Sequence, residues 1–424
     1  MNESESGQIL KRLTALYPRR IDLTLDRPKR LLSKLNHPER GLPPIVHIAG
    51  TNGKGSTLAM LRAGMESKGL RVHAYISPHL TKFHERIRIA GHVIGESSLA
   101  RVLQECELSN RGDPITLFEI TTCAAFLAFS RVRADYLLLE VGLGGRLDAT
   151  NIVEDPALTV ITPVSLDHQQ FLGDGLEQIA FEKAGILKPG VPCVVSRQQP
   201  EAMAAIEARA TEIGSPLLVQ GIDWKSEISN GRLEFRNKSD SFDLPIPKLA
   251  GIHQAENAGA AVMALKHLGF GIAEMVAAVT KTDWPARMQK LKSGPLVKAA
   301  GASEVWLDGG HNPAAGHALA RSLQAMPALD TQLICGMLDS KDIKGFLKSL
   351  RSVADKVYGI PIPGEDAALP AHSVAAAASE IGIQSEIASC AEEAASRISE
   401  NIGSGRILVC GSLYLAGKLL SENA

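Results

Sequence analysis

The sequence predicts an α/β protein, with a large N-terminal domain built on a P-loop-type, mainly parallel sheet and a smaller, Rossmann-like α/β domain after it. Three observations predict this fold. The chain has 424 residues, which is too long for one ordinary hydrophobic core. Short aliphatic runs alternate with helical patterns, and such alternation implies right-handed crossovers between parallel strands. Aromatic residues make up only 4% of the chain, so the core is aliphatic, as in buried parallel sheets.

The predicted N-terminal domain, residues 1–286, begins with two helices and then alternates strands with helices. An amphipathic helix is predicted over 9–16, and the segment from Ile21 to Arg27 leads into a helix that runs to Leu35. Residues 224–249 alternate polar with apolar side chains around the turn signal Asn230-Gly231, which predicts a small β insertion near 222–249. Further strands are predicted from Val46 and over 72–76, 136–141, 158–161 and 193–196, and helices over 97–107, 118–130 and 251–268.

The predicted C-terminal domain, residues 287–424, repeats the alternation on a smaller scale. Trp284-Pro285-Ala286-Arg287 interrupts the helical pattern and is the predicted linker. Beyond the linker, strands are predicted over 305–308, 332–336, 356–360 and 407–410, with helices between them.

The first strand ends in a glycine-rich turn that predicts a phosphate-binding loop. Gly50, Gly53 and Gly55 let backbone N–H groups approach phosphate oxygens, and the following helix adds a positive N-terminus. Lys54 supplies a mobile charge, and a hydroxyl after it can hold Mg²⁺. A purely structural turn is the alternative, but the Lys-Gly-Ser-Thr ending favours a bound nucleoside triphosphate. The nucleotide-binding residues predicted here are Asn52, Gly53, Lys54, Gly55, Ser56 and Thr57.

Polar residues follow several other predicted strands, and in a parallel sheet such strand ends meet at one edge. Glu140 ends a wholly apolar strand, where a lone carboxylate would be costly unless it met a metal ion or a cation. Its candidate partners are the Mg²⁺ of a bound nucleotide or, alternatively, Arg146. His168 follows the next strand, and Ser77 follows an earlier one. The oxygen-rich set with Ser56 predicts a hard-cation site.

Two further groups stand out. Lys183 lies on a predicted helix, where by itself it is one charge on a helix face. In the C-terminal domain, Asn312 and Pro313 are a good N-cap and first helical residue, so simple capping explains both. Capping does not explain Asp308 and His311, which stand at the same strand end.

Composition excludes some classes of function. The 45 basic and 46 acidic residues give a net charge of −1, which argues against a nucleic-acid-binding surface. Six scattered cysteines without a Cys-x-x-Cys pair predict buried free thiols in a reducing compartment. The polar N-terminus is unlike a signal peptide, and no apolar run approaches the roughly 20 residues that span a bilayer. We therefore expect a cytoplasmic protein without membrane partners, and nothing requires more than a monomer.

With these residues in hand, the chain resembles the folylpolyglutamate synthase and dihydrofolate synthase family of the Mur ligase superfamily. The resemblance covers nearly the whole length in order, and the run from Glu140 to Asn151 is its most specific part. Three departures concern fine specificity: Gln169-Gln170-Phe171 after the histidine, Ala286 where glycine is common, and Gly309-Gly310 before His311. The matching segments are 21–27, the phosphate loop, 77–80, 85–88, 118–119, 140–151, 167–168, 182–186, 284–287, 308–313 and 336–342.

The resemblance implies a role for each group of residues. It implies two Mg²⁺ ions near Ser56, held by Ser77, Glu140 and His168, and a Lys183 that is carbamylated and so becomes a metal ligand. The residues implied in nucleotide contacts are Asn257, Arg287 and Asp308, with His311 near the γ-phosphate; those implied in catalysis are Lys54, Lys183 and His311; and those implied in the pterin pocket are Thr116, Phe118, Asp148 and Ala149.

The function predicted from this resemblance is an ATP-dependent ligase. It joins L-glutamate to dihydropteroate and to reduced folates through an acyl phosphate. Both activities are predicted because the Ile21 to Arg27 segment and the form of residues 146–151 are more similar to bacterial bifunctional members. An enzyme that acts on folates only is the alternative. From a different class, a nucleotide switch or a folate-binding protein would also need the loop and the pocket, but it would not need His311 and Asp308 or a metal-binding lysine.

Overall fold

A computed structural model describes residues 4–17 and 22–423 of the chain. Ile21, the first residue of the segment predicted to lead into the second helix, lies outside the described residues. The helices in chain order are α1 (Glu5–Ala15), α2 (Asp26–Lys34), α3 (Lys54–Ser67), α4 (Glu96–Asn110), α5 (Leu117–Ser130), α6 (Gln169–Leu172), α7 (Leu176–Ala184), α8 (Pro200–Ile213), α9 (Gln254–His267), α10 (Ile272–Thr280), α11 (Pro295–Ala299), α12 (Pro313–Gln324), α13 (Ile343–Leu350), α14 (Ala371–Glu380), α15 (Ala391–Ile402) and α16 (Leu413–Glu422).

Seventeen strands accompany these helices in the described part of the chain. They are β1 (Ile45–Ala49), β2 (Val72–Tyr75), β3 (Ile87–Ile89), β4 (His92–Val93), β5 (Tyr136–Glu140), β6 (Leu158–Ile161), β7 (Cys193–Val195), β8 (Leu217–Val219), β9 (Trp224–Ser229), β10 (Arg232–Asn237), β11 (Ser241–Leu244), β12 (Gln289–Leu291), β13 (Glu304–Leu307), β14 (Thr331–Cys335), β15 (Lys356–Gly359), β16 (Gln384–Ile387) and β17 (Arg406–Cys410).

The chain divides into two units. The first comprises the described residues of Met1–Val164, Leu172–Pro245 and Asn257–Thr282, and the second comprises those of Ser165–Phe171, Ile246–Glu256 and Asp283–Ala424. The sequence-based boundary between 286 and 287 stays a prediction.

The first unit is built on an eight-stranded sheet in the order β4-β3-β2-β5-β1-β6-β7-β8. The six strands from β2 to β8 in that order are parallel, and β3 and β4 extend the sheet antiparallel. All five residues of the central strand β1 are buried, because helices cover both faces of the sheet. This is why the strand is mainly apolar on both faces rather than alternating in pattern.

The β insertion of the first unit is a separate antiparallel sheet in the order β11-β10-β9. Asn230 and Gly231, both with positive φ, form the turn between its first two strands. The third strand β11 extends the predicted hairpin, and Phe235 stacks on both Trp224 and Phe242 at centroid distances of 6.2 and 6.0 Å. The aromatic stack gives this small sheet its own apolar face.

The second unit contains a six-stranded sheet in the order β12-β13-β17-β14-β15-β16, in which only β12 runs antiparallel. The predicted fold class is confirmed. The strands predicted to end at Ile76, Val141 and Ser196 each end one residue earlier, so these residues begin the loops. All six cysteines are free thiols, and Cys390 alone among them is not fully buried. Each helix in the described ranges is too short or too polar to span a bilayer.

Candidate active site

The phosphate loop lies at the carboxyl end of β1, in the middle of the first sheet. Gly53 has a φ of +91°, a conformation that side chains rarely adopt, and a Cβ on it would lie 2.3 Å from Oδ1 of Asn257. Asn257, predicted to contact the nucleotide, therefore touches this loop directly. The carbonyl oxygen of Pro163 accepts hydrogen bonds from the N–H groups of Thr51 and Asn52 at 3.0 and 3.3 Å, which holds the loop in place.

Two lysines converge on this loop. Lys54, the first residue of α3, donates to the carbonyl oxygen of Gly50 at 3.0 Å and to that of Thr51 at 3.2 Å. Lys183, near the end of α7 and only 5% exposed, donates to the same Gly50 oxygen at 2.9 Å. Two ammonium groups on one carbonyl oxygen repel each other, so the site favours an anion beside them. Triphosphate oxygens are suitable anions.

The predicted metal ligands Ser77 and Glu140 lie on neighbouring strand ends. Glu140 is the last residue of β5 and is 5% exposed, and the backbone N–H of Ser77 donates to its Oε2 at 3.3 Å. Arg146, the alternative partner considered for Glu140, binds Glu182 at 2.8 Å. The backbone of Ser77 and the buried carboxylate of Glu140 are therefore neighbours at this edge of the sheet.

Among the described residues, His, Cys, Asp and Glu side chains do not form a metal site by themselves. Within residues 4–17 and 22–423, no group of three or more His, Cys, Asp and Glu side chains is arranged to hold a metal ion. An ion at Glu140 therefore needs other ligands, such as a serine hydroxyl, a modified lysine, water or phosphate oxygens.

The predicted pterin-pocket residues also lie in the first unit. The Phe118 ring rests on the backbone of Gly142, where a Cβ would lie 2.4 Å from Cζ of the ring. Thr116 is buried and caps α5 through a hydrogen bond from the N–H of Glu119. Asp148 is 2% exposed and accepts hydrogen bonds from the N–H groups of Leu143 at 2.8 Å and Thr150 at 3.0 Å.

Burial raises the pKa of Asp148 against the opposing effect of these hydrogen bonds. Its neighbour Ala149 is also buried. The Phe118 ring therefore contacts the loop that begins at Gly142, and Asp148 holds that loop in shape.

In the second unit, a buried carboxylate organises several predicted residues. Asp167 accepts from Lys341 Nζ at 2.6 Å and from Asn312 Nδ2 at 3.1 Å, and its Oδ2 lies 3.7 Å from Nε2 of His311. Burial alone would raise the pKa of Asp167, but the contact with His311 and the charges of Lys341 and His168 outweigh it, so its pKa is far below its ordinary value. The carboxylate is ionised and holds the His311 side chain.

His311 has a defined tautomer at one nitrogen. Its Nδ1 lies 2.9 Å from the carbonyl oxygen of Gly309, which can only accept, so Nδ1 carries a proton. Asn312 caps α12 through the N–H of Ala315, and Pro313 is the first helical residue, which confirms the capping prediction.

The linker residues are held by Asp308. Its two oxygens accept the N–H groups of Met288 at 2.8 Å and Gly310 at 2.7 Å. Ala286 and Met288, on either side of Arg287, both have positive φ, 55° and 41°. Glycine would adopt the left-handed conformation of Ala286 without the steric strain that a Cβ brings.

The structure thus brings together the predicted residues of each unit. In the first unit, four pairs of residues lie close together: Lys54 and Lys183 on one carbonyl oxygen, Ser77 and Glu140, Asn257 and Gly53, and Phe118 and Gly142. In the second unit, His168, His311 and Asn312 gather around Asp167, and Arg287 lies beside Gly309. Sequence reasoning assigned no role to Asp167 or Lys341. The only signal for their pairing was that both stand in family segments after strand ends.

Comparison with known protein families agrees with this geometry. The Mur ligase middle domain matches residues 48–265, and the Mur ligase glutamate ligase domain matches residues 286–413. Dihydrofolate synthase/folylpolyglutamate synthase of Escherichia coli is 32% identical over 97% of this chain and 94% of its own length. The chain belongs to the Mur ligase family. Its predicted family and ligase class are confirmed.

The relatives of this chain are named for different activities. The protein of Bacillus subtilis, 32% identical over 79% of the chain and 80% of its own length, is also a dihydrofolate synthase/folylpolyglutamate synthase. That of Lacticaseibacillus casei, 30% identical over 91% of both chains, is a folylpolyglutamate synthase.

Solved structures of the family have the same fold. E. coli FolC in complex with DHPP and ADP superposes with a TM-score of 0.88 at 30% identity, over 99% of this chain and 98% of that one. The bifunctional enzyme of Yersinia pestis complexed with AMPPNP and Mn ion gives 0.87 at 30% identity, over 99% of each chain.

Proposed function

We propose that this protein uses ATP to join L-glutamate to dihydropteroate, giving dihydrofolate, and to reduced folates, giving folylpolyglutamates. One observation carries the proposal: at the phosphate loop, the ammonium groups of Lys54 and Lys183 meet on the carbonyl oxygen of Gly50. Its family membership supports the same activity, because the Escherichia coli relative, matched over 97% of this chain, is named dihydrofolate synthase/folylpolyglutamate synthase.

The reaction requires a better leaving group than a carboxylate oxygen. The γ-phosphoryl group of ATP passes to the substrate carboxylate, giving an acyl phosphate and ADP. The amine of L-glutamate then attacks the carbonyl carbon, phosphate leaves, and the amine proton is lost to solvent. Lys54 and the N–H groups from Gly53 to Ser56 bind the phosphates and offset the repulsion between two anions. No protein nucleophile is needed.

We propose that the enzyme uses two Mg²⁺ ions. Ser56, Ser77, Glu140, His168 and a modified Lys183 would hold them, and the ions would supply neutralisation of the triphosphate charge. The contact between the Ser77 backbone and the buried Glu140 carboxylate supports the choice, because it already places a hydroxyl-bearing residue against that carboxylate.

We propose that Lys183 is carbamylated in the active enzyme. Addition of carbon dioxide to its neutral amine releases a proton and leaves a carbamate anion. Repulsion between Lys183 and Lys54 then becomes attraction, and the new oxygens suit Mg²⁺. The test is ¹³C NMR of the protein in ¹³C-bicarbonate, with Lys183→Ala as the control. A carbamate signal absent from the variant is expected, and an equal signal in both proteins would contradict the assignment.

The remaining roles follow the family resemblance. Asn257, Arg287 and Asp308 contact the nucleotide, and His311 stabilises charge at the γ-phosphate, oriented by Asp167. The pterin ring is bound in the pocket formed by Thr116, Phe118, Asp148 and Ala149, where Phe118 stacks on it.

We further propose that the enzyme acts as a cytoplasmic monomer without nucleic-acid or membrane partners. The nearly balanced charge of the chain supports the absence of a nucleic-acid partner. Light scattering that gave twice the chain mass would contradict the monomer.

The activity test offers ATP, Mg²⁺ and L-glutamate with either dihydropteroate or tetrahydrofolate, and measures ADP and the extended product. Both substrates are expected to give product and one ADP per amide bond. Product from tetrahydrofolate alone would support the folate-only alternative. Absence of ADP with either substrate would exclude a ligase and leave a binding protein or switch. Lys54→Ala is the inactive reference, and Lys11→Ala, an exposed lysine of α1, is its matched control.

A further inference from the structure

Three buried polar side chains form a hydrogen-bonded relay beside the loop of residues 142–151. His47, in the middle of β1, and Thr150 are fully buried, and Asp148 is 2% exposed. Nε2 of His47 lies 2.9 Å from Oγ1 of Thr150, which in turn lies 2.5 Å from Oδ1 of Asp148. The relay therefore connects the strand that carries the phosphate loop to the loop beside Phe118.

The hydrogen bonds in this relay have one consistent direction. The Asp148 carboxylate accepts, so the single hydroxyl proton of Thr150 is donated to it. Thr150 must then accept from His47, which places a proton on Nε2. Burial, with the charge of Lys188 in addition, lowers the pKa of His47 to about 3, so the ring is neutral. Nδ1 is then a bare acceptor, and this buried atom has no hydrogen-bond partner in the described structure.

The unpartnered Nδ1 of His47 lowers the stability of the fold, whereas its Nε2 makes the hydrogen bond to Thr150. A buried polar atom without a partner destabilises the folded state, and an apolar side chain of similar size would avoid this loss. What the histidine provides is a donor that fixes the orientation of Thr150. Without it, the Thr150 hydroxyl would have no partner on that side.

Asp148 converts this orientation into the shape of the loop. Its Oδ2 binds the N–H of Leu143 at 2.8 Å, and its Oδ1 binds the N–H of Thr150 at 3.0 Å, so one carboxylate ties the two ends of the loop together. Gly142, immediately before Leu143, is the residue on which the Phe118 ring rests.

We propose that His47 is a positioning residue for recognition of the pterin ring. Its Nε2–H holds Thr150 so that the hydroxyl donates to Asp148, and Asp148 in turn holds the loop that supports Phe118. This proposal rests on the proposed function, because it assumes that the pocket at Phe118 receives a pterin.

The kinetic test compares His47→Leu, which removes the donor, with His47→Gln, which keeps a side-chain N–H near the position of Nε2. His47→Leu is expected to raise the KM for dihydropteroate about tenfold and to change the KM for ATP less than about twofold. His47→Gln should restore most of the loss. Thr150→Val should raise the KM for dihydropteroate by the same factor. The double variant His47→Leu/Thr150→Val should raise it no further, because both substitutions break the same relay.

His73→Leu is the matched control. His73 is a fully buried histidine on the neighbouring part of the sheet, in β2, and its ring nitrogens bind the carbonyl of Val132 and the N–H of Ala90. Its loss should lower stability without changing the KM for dihydropteroate. A folded His47→Leu with the wild-type KM, or with both KM values raised by the same factor, would overturn the proposal.

A spectroscopic measurement separates this proposal from the proposed function. In ¹⁵N NMR of the wild-type protein, His47 should be a neutral ring protonated at Nε2 throughout the range from about pH 5 to 8, where an ordinary histidine titrates. A ring protonated at Nδ1 would overturn the relay even if the enzyme is a ligase. If the protein turned over no pterin substrate, the proposed ligase function would be refuted. The tautomer of His47 would still decide whether the relay exists.

Discussion

Gly142→Ala is expected to damage pterin binding while leaving nucleotide binding unchanged. The added Cβ would lie 2.4, 2.8 and 2.9 Å from Cζ, Cε2 and Cε1 of Phe118, whereas ordinary contacts begin near 3.4 Å. The ring must therefore move by about 1.0 Å, the difference between 3.4 and 2.4 Å. Overpacking of this kind costs about 1–3 kcal/mol. If the displacement falls on the binding surface, it corresponds to a rise of roughly 5- to 150-fold in the dissociation constant.

The assay is calorimetric titration with dihydropteroate and, separately, with an ATP analogue. Gly41→Ala is the matched control, since a Cβ there meets nothing within 4 Å. Adding Phe118→Leu to Gly142→Ala should recover stability, because the smaller side chain removes the clash, but it should not recover pterin binding. Wild-type affinity of folded Gly142→Ala for dihydropteroate would refute the placement of the pocket at Phe118.

Three other predictions follow from the geometry. Ala286→Gly relieves a left-handed conformation and should stabilise the second unit by about 1 kcal/mol in urea unfolding, whereas Ala299→Gly in α11 should destabilise it. The depressed pKa of Asp167 contributes stability above the ordinary carboxyl value of about 4 that is lost as pH falls through its lower folded value. Asp167→Asn should therefore reduce the difference in unfolding free energy between neutral and acid pH, and an unchanged profile would contradict this. Lys54→Ala should lower kcat/KM about a hundredfold or more in the ligase assay, while Lys11→Ala should not change it.

Much of the local structure could be predicted from the sequence. The central strands of both sheets appear as mainly apolar runs, because they are buried on both faces. The Asn312-Pro313 cap and the Asn230-Gly231 turn also follow from short-range chemistry, since the groups that form their hydrogen bonds are only a few residues apart. The third strand of the insertion was missed, because a short, partly exposed strand has a weak pattern.

The contacts within the candidate site could be predicted only in part. Strand ends with polar residues indicated that Ser77 and Glu140 would meet, since β2 and β5 are neighbours in the sheet. The same reasoning could not indicate that Lys183 reaches Gly50, or that Asp167 pairs with Lys341. These partners are 133 and 174 residues apart in the chain.

By itself, then, the sequence determined the fold class, the phosphate loop and the family, because each depends on periodicity or on a motif within a few dozen residues. The tertiary structure decided which charges share a partner: two lysines on one carbonyl oxygen, one carboxylate among His311, Asn312 and Lys341, and a buried histidine behind Asp148. The physical reason is that strand order in the sheet brings distant segments together, and no local pattern of side chains specifies that order.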